Sequence, residues 1–144
     1  MKQIDFYILK PGYPKELYQF VCQLVEQIYN QGHRIYINLG YDNEVQYLDK
    51  LLWLYSDGSF VPHGILGSAD PKLTPVLLGA NQAPADATDV LITLAPKAPE
   101  FFRQFQRIAE IIDQDPERLR MGRERYSWYR DLGCTLRVHE MTAS

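Results

Sequence analysis

The sequence predicts an α/β protein in three layers, α/β/α, with a mostly parallel central sheet and a Rossmann-like outline that lacks a nucleotide-binding loop. Three observations carry this. Short apolar runs rich in β-formers alternate with longer stretches whose apolar residues recur at three- and four-residue steps, the signature of a layered sheet with helical crossovers. At 144 residues the chain corresponds to one domain, 1–144, able to bury roughly two-thirds of the surface of its unfolded state. With 46% hydrophobic and 23% charged residues, its composition is that of an ordinary soluble protein.

The elements follow in order. IDFYIL, residues 4–9, is an apolar run ended by Pro11 and Gly12 and reads as a strand. From Pro14 to Gln31, Leu17, Phe20, Val21, Leu24, Val25 and Ile28 keep helical spacing, with proline at the start and Gly32 at the stop. RIYINL, 34–39, is a second strand. Asp42 is placed to cap a second helix carrying Val45, Leu48, Leu52 and Tyr55. Residues 56–75, dense in Gly, Pro, Ser and Asp, read as a long connection, a kind that is usually functional. VLLG, 76–79, and DVLITLA, 89–95, are strands. APEFFRQF, 98–105, is a short helix, and RIAEIID, 107–113, is a strand. Asp115-Pro116 supplies an N-cap and a first-turn proline for a last helix running to Gly133. TLRVHE, 135–140, alternates like an edge strand.

Charge and cysteine usage exclude several classes. A net charge of −3 argues against general affinity for nucleic-acid backbone. Cys22, within QFVCQLV, and Cys134 stand far apart and read as small buried hydrophobes rather than a disulfide framework. The N-terminal apolar run is interrupted by Asp5 and Lys10, unlike a signal peptide, and no run approaches a membrane span, so the expected location is cytoplasmic.

Catalytic patterns are not seen. The first strand–helix turn, KPGYPK, has two prolines where phosphate cradling needs backbone N–H donors, and both GxGxxG and GxxxxGK are missing. His33, His63 and His139 are scattered, so no metal or other cofactor is expected. Ser59 and Ser68 lack a GxSxG setting, and Asp42/Glu44 and Glu110/Asp113 are acidic neighbours of an ordinary kind.

RERYSWYRDLG, 123–133, stands out. On a helix, Leu119, Arg123, Tyr126 and Arg130 share a stripe about 60° wide, while Met121, Trp128 and Leu132 point roughly opposite and are expected to supply the buried face. Residues 118–137 carry six arginines against Glu124 and Asp131, a local charge of +4 within an acidic chain. A solvated helix face accounts for this pattern. So does a docking site for an acidic peptide that ends in a hydrophobic residue and a free carboxylate, since arginine offers a planar fork for carboxylate and tyrosine offers apolar area. Direct single-stranded nucleic-acid binding is the rival use of the same charges. A second feature is WLYSDGSFVPHG, 53–64, in which Phe60 either folds into the core or, with Trp53 and Val61, forms an exposed contact patch.

DFYIL, GHRIYI, LDKLLWLYSDGSFVPHG, DVLITL and RERYSWYRDLG, in that order, resemble the chi subunit family of bacterial DNA polymerase III. The resemblance implies a non-enzymatic clamp-loader accessory subunit with two protein-binding faces and only indirect contact with nucleic acid. One face would bind the acidic, phenylalanine-ended tail of single-stranded-DNA-binding protein through Arg123 and Tyr126, with Leu119, Arg130 and Gly133 close by. The other would bind the psi subunit through Phe60, with Trp53 and Val61 nearby. Ser127 stands where the family pattern suggests a lysine, and Arg118 and Arg120 flank Leu119 one turn upstream, so the positive charge is redistributed along the helix.

Overall fold

The computed structural model describes residues 2–55, 61–85 and 89–143. These form strands β1 (Gln3–Leu9), β2 (Ile35–Leu39), β3 (His63–Ile65), β4 (Val76–Ala80), β5 (Val90–Thr93), β6 (Arg107–Ile112) and β7 (Thr135–Met141), with helices α1 (Leu17–Asn30), α2 (Asp42–Leu54) and α3 (Pro116–Asp131). A 3-10 turn covers Glu100–Gln104, where a short helix is predicted. The strands make one sheet in the order β3-β4-β2-β5-β6-β1-β7, every neighbouring pair parallel.

Strand parity assigns the layers, because successive side chains point to opposite faces. Ile35, Ile37, Val76, Leu78, Val90, Ile92, Ala109 and Ile111 join the apolar faces of α1 and α2. Tyr36, Leu77, Leu91, Ile108, Ile112, Ile4 and Phe6 face the other way and join Phe102, Phe105 and Tyr129. Both sheet faces are covered, which gives the three-layer arrangement the alternation predicts.

Local chemistry sets the helix ends with some departures. Pro14 lies ahead of α1. The cap is Glu16, whose carboxylate accepts from the Gln19 N–H at 2.8 Å while the Gln19 side chain accepts from the Glu16 N–H at 3.2 Å. Tyr41 occupies the cap position of α2 without a side-chain bond, and Asp42 and Glu44 sit in the first turn, where the helix dipole favours acids. Asp115 caps α3 through the Arg118 N–H at 3.0 Å with Pro116 as the first residue, as expected. At its other end Gly133 takes φ +85°, a conformation suited to glycine, and turns the chain into β7. The connection over 56–75 is not featureless, since it contains β3.

The inward face of α3 is not the predicted one. Trp128 and Leu132 are each 41% exposed, and the buried residues are Gly122, Arg125 and Tyr129. Glu110 shares the parity of Ile108 and Ile112 and so points at α3, fully buried. Its carboxylate accepts from Arg125 Nε at 2.9 Å and from the Tyr129 hydroxyl at 3.0 Å, and Arg125 also donates to the Pro96 carbonyl at 2.9 Å. Burial pushes the Glu110 carboxyl above its ordinary range, against the opposing pull of Arg125 and Tyr129. The helix is held by this desolvated ion pair together with the packing of Tyr129, Leu119 and Tyr126.

On the opposite face, at the sheet edge, buried Asp5 accepts from Arg107 Nε at 3.2 Å and contacts His139 Nε2 at 2.9 Å, while the His139 ring stacks on Tyr7. Burial opposes ionisation of Asp5, but His139, Gln3 and Arg107 together hold its carboxyl below the ordinary value of 3.8.

Two outcomes follow from these clusters. Arg125→Met strands the buried Glu110 and is expected to destabilise by about 3–5 kcal/mol in urea denaturation, with most of the loss recovered when Glu110→Leu is added. A loss under about 1 kcal/mol would show that α3 is seated by other contacts. Asp5 has a lower pKa folded than unfolded, so its stabilisation is present above its unfolded pKa and is lost as pH falls through the folded value. Asp5→Asn should therefore flatten the acid limb of the stability profile below about pH 4.

Candidate functional site

A cleft of about 360 Å³ opens between the first turns of α3 and the C-terminal halves of β1, β6 and β7. Ligands of open α/β sheets settle at this strand end. Phe6 and Ile8 of β1, Ile112 of β6 and Val138 of β7 supply apolar lining from the sheet. Leu119, Gly122, Arg123 and Tyr126 supply the helical wall, and Lys10 and Gln114 come from the chain just beyond β1 and β6.

Sequence spacing places Leu119, Arg123 and Tyr126 on one helix face, and the structure brings all three to this cleft. Tyr126 is half-buried, its ring edge-on to Phe6 with centroids 5.3 Å apart. Among the described residues its hydroxyl has no hydrogen-bond partner. Arg123 is exposed and has no carboxylate within ion-pairing distance among the described residues. Arg130 lies on the same face two turns on but outside the cleft lining, exposed, with its Nε 3.6 Å from Asp131. Gly133, the helix-terminating residue, is also outside the lining.

The other arginines are committed within the fold. Arg118 makes a two-pronged pair with Asp113 at 2.8 and 2.7 Å, and the Asp113 carboxyl, despite the opposing effect of burial, is held below its ordinary range by that arginine. Arg120 bonds Glu117 and, at 2.8 Å, Glu124. Arg125 holds Glu110. The Glu110/Asp113 neighbours thus serve α3 as structural ion pairs. Among the described residues, a dense-looking cationic helix reduces to one unpaired guanidinium, Arg123, at the mouth of an apolar cleft.

Gly122 shapes the cleft. A Cβ at this position would stand 2.4 Å from Ile112 Cδ1, so glycine lets α3 come down onto β6. Gly122, Lys10 and the strand residues escape sequence reading because nothing in their local pattern marks them. They become neighbours only through the pairing of β1 with β6 and β7.

At the second predicted face, Trp53 is 55% exposed and its ring lies 4.8 Å from that of His63. Leu54 beside it is 79% exposed. Val61 is only 7% exposed and packs into the α1/α2 core, so it does not belong to an exposed patch. Phe60 lies outside the described residues.

A second hollow of about 460 Å³ sits at the N-terminal end of the sheet. Its charges balance, with Arg34 and Lys72 against Asp70 and Asp89, and Arg34 is held by the carbonyls of Pro71 and Thr74. Among the described residues no group of three or more His, Cys, Asp or Glu is placed to hold a metal ion, and no helix is long and apolar enough to cross a membrane.

Fold and cleft together define the class: a layered α/β protein with an all-parallel sheet, whose last helix borders an open apolar cleft carrying positive charge. The model of the family described as DNA polymerase III chi subunit, HolC, matches residues 1–137, and the chain belongs to that family. It is similar to the DNA polymerase III subunit chi of Pseudomonas aeruginosa, 30% identical over 141 residues that cover 98% of each chain. The corresponding subunits of Haemophilus influenzae and Escherichia coli are each 27% identical, covering 94% or more of both chains.

Proposed function

We propose that residues 1–144 form one chi-like domain acting as a non-enzymatic adaptor in the cytoplasm. It would link the clamp loader, through a psi subunit, to the acidic C-terminal tail of single-stranded-DNA-binding protein. The observation that carries the reading is the cleft: an apolar floor, a half-buried tyrosine, and an arginine at the mouth, the hydroxyl and the guanidinium both unpaired among the described residues. An acidic peptide with a terminal phenylalanine has the complementary chemistry. The terminal ring enters beside Tyr126 and Leu119, and the Arg123 fork receives the terminal carboxylate. Arg130 lies about 10 Å further along the helix axis, the reach of about three extended residues, and meets an acid upstream in the tail. Gly133 turns the chain out of its path.

Magnitudes keep this contact weak. Burying one phenylalanine contributes about 1.5–3 kcal/mol and each exposed ion pair about 0.2–1 kcal/mol. Ordering the tail costs roughly 1 kcal/mol or more per residue. Affinity on the order of micromolar results, and several tails on one oligomeric partner raise the effective concentration. Internal pairing of Arg118, Arg120 and Arg125 weighs against a nucleic-acid phosphate track along α3.

The psi contact is proposed at Phe60 and Trp53, with exposed Leu54 beside them. Val61 holds the end of that loop from within the core.

Titration of a labelled tail peptide is expected to show affinity falling by up to about fivefold in Arg123→Ala, and falling as salt rises. Equal affinities in wild type and variant would remove Arg123 from the mechanism. Phe60→Ala and Trp53→Ala should keep tail binding and lose co-purification of psi. Retained co-purification would move the psi face elsewhere.

A further inference from the structure

We propose that Lys10 is a second carboxylate-reading cation of the α3 cleft, and that it receives the side chain of an acidic residue just before the peptide's apolar end. The inference rests on the peptide-docking reading above and adds a residue from a different element. Lys10 follows β1, so it reaches the cleft from the sheet side, whereas Arg123 reaches it from α3.

Three observations support the assignment. Lys10 lines the same cleft as Arg123 and Tyr126, and among the described residues no carboxylate pairs with it. Its backbone is clamped on both sides: the Lys10 N–H donates to the Met141 carbonyl at 2.9 Å, and the Lys10 carbonyl accepts from the Tyr13 N–H at 3.1 Å. Gln114 beside it donates to the Leu9 carbonyl at 3.0 Å and ties the end of β6 to the end of β1. The root of the lysine is therefore fixed, and only its stem is free to follow a ligand.

The division of labour comes from the two cations' chemistry. A guanidinium presents a planar fork that matches one carboxylate with two parallel bonds, whereas an ammonium is a compact charge on a flexible stem that tolerates varied approach. The terminal carboxylate, fixed by the buried side chain beside it, suits Arg123. A side-chain carboxylate, with freedom about its own rotamers, suits Lys10. The second cation of the cleft is thus supplied by the strand end across from α3, while Arg130 lies outside the lining.

The test uses the full chain and a synthetic hexapeptide, Gly-Asp-Asp-Asp-Gly-Phe, with two derivatives: all aspartates replaced by asparagine, and the C-terminus amidated. Affinities are measured by fluorescence anisotropy at low salt for wild type, Lys10→Ala and Lys10→Arg, with circular dichroism to verify folding. Lys10→Ala is expected to weaken the acidic peptide about three-fold, to weaken its amidated form by the same factor, and to leave the asparagine peptide unchanged. Lys10→Arg should restore most of the loss. Equal binding of the acidic peptide by wild type and Lys10→Ala would overturn the role of Lys10 while leaving the docking reading intact. Loss of the Lys10 effect on amidation, with the effect retained on the asparagine peptide, would reassign the lysine to the terminal carboxylate and overturn the proposal. Failure of wild type to bind any of the peptides would sink the docking reading itself.

Discussion

The buried bond between Glu110 and Arg125, closed by the Tyr129 hydroxyl, is the interaction on which the rest of the molecule's last third depends. It joins the middle of β6 to the middle of α3 and fixes the rotation of the helix about its own axis. With Arg125 and Tyr129 turned inward, helical periodicity puts Tyr126 and Arg123 toward the cleft and leaves Trp128 and Leu132 partly exposed. An apolar helix could have reached similar stability by burying leucines, with less dictation of its rotation. A desolvated ion pair tolerates essentially one orientation, since any other strands a charge without solvent.

That constraint also bears on how so many arginines coexist with the candidate site. Neighbouring carboxylates neutralise Arg118 and Arg120 on the exposed flank, and Arg125 is consumed by the anchor. Arg123 is left unneutralised where the floor turns apolar. On the proposed docking role, discrimination comes from the contrast between the Arg123 guanidinium and the oily surface under it, rather than from the summed charge of the segment. Under that proposal, a ligand would bring an anion and a hydrophobic group at a fixed separation to satisfy both.

Much of the fold was legible because its signals are local. Apolar runs and helical spacing locate nearly all the strands and helices, and Asp115-Pro116 marks the start of α3 to the residue. The 3-10 turn reads from sequence as a short helix, whereas the three-residue β3 and the true cap of α1 are too short or too dependent on one hydrogen-bond exchange for periodicity to register. The buried face of α3 was misread for a physical reason. Hydrophobicity was taken as the guide to burial, but this helix buries an arginine, and nothing at position 125 announces that Glu110 awaits it fifteen residues upstream. The cleft was half legible: its helical wall follows from spacing, whereas its floor is made by strands distant in sequence. Lys10 could only have been found by knowing that the chain's beginning lies beside its end.

That last arrangement has a bearing on biosynthesis. Translation makes β1 before β6 and β7, its two neighbours among the described strands, whose registers run through Arg107–Ile112 and Thr135–Met141. Until β6 and β7 have been synthesised IDFYIL lacks its sheet neighbours, and the floor of the cleft, shared by Phe6, Ile8, Ile112 and Val138, is incomplete. Until then that segment must be kept from wrong partners, because its own sheet neighbours are not yet available.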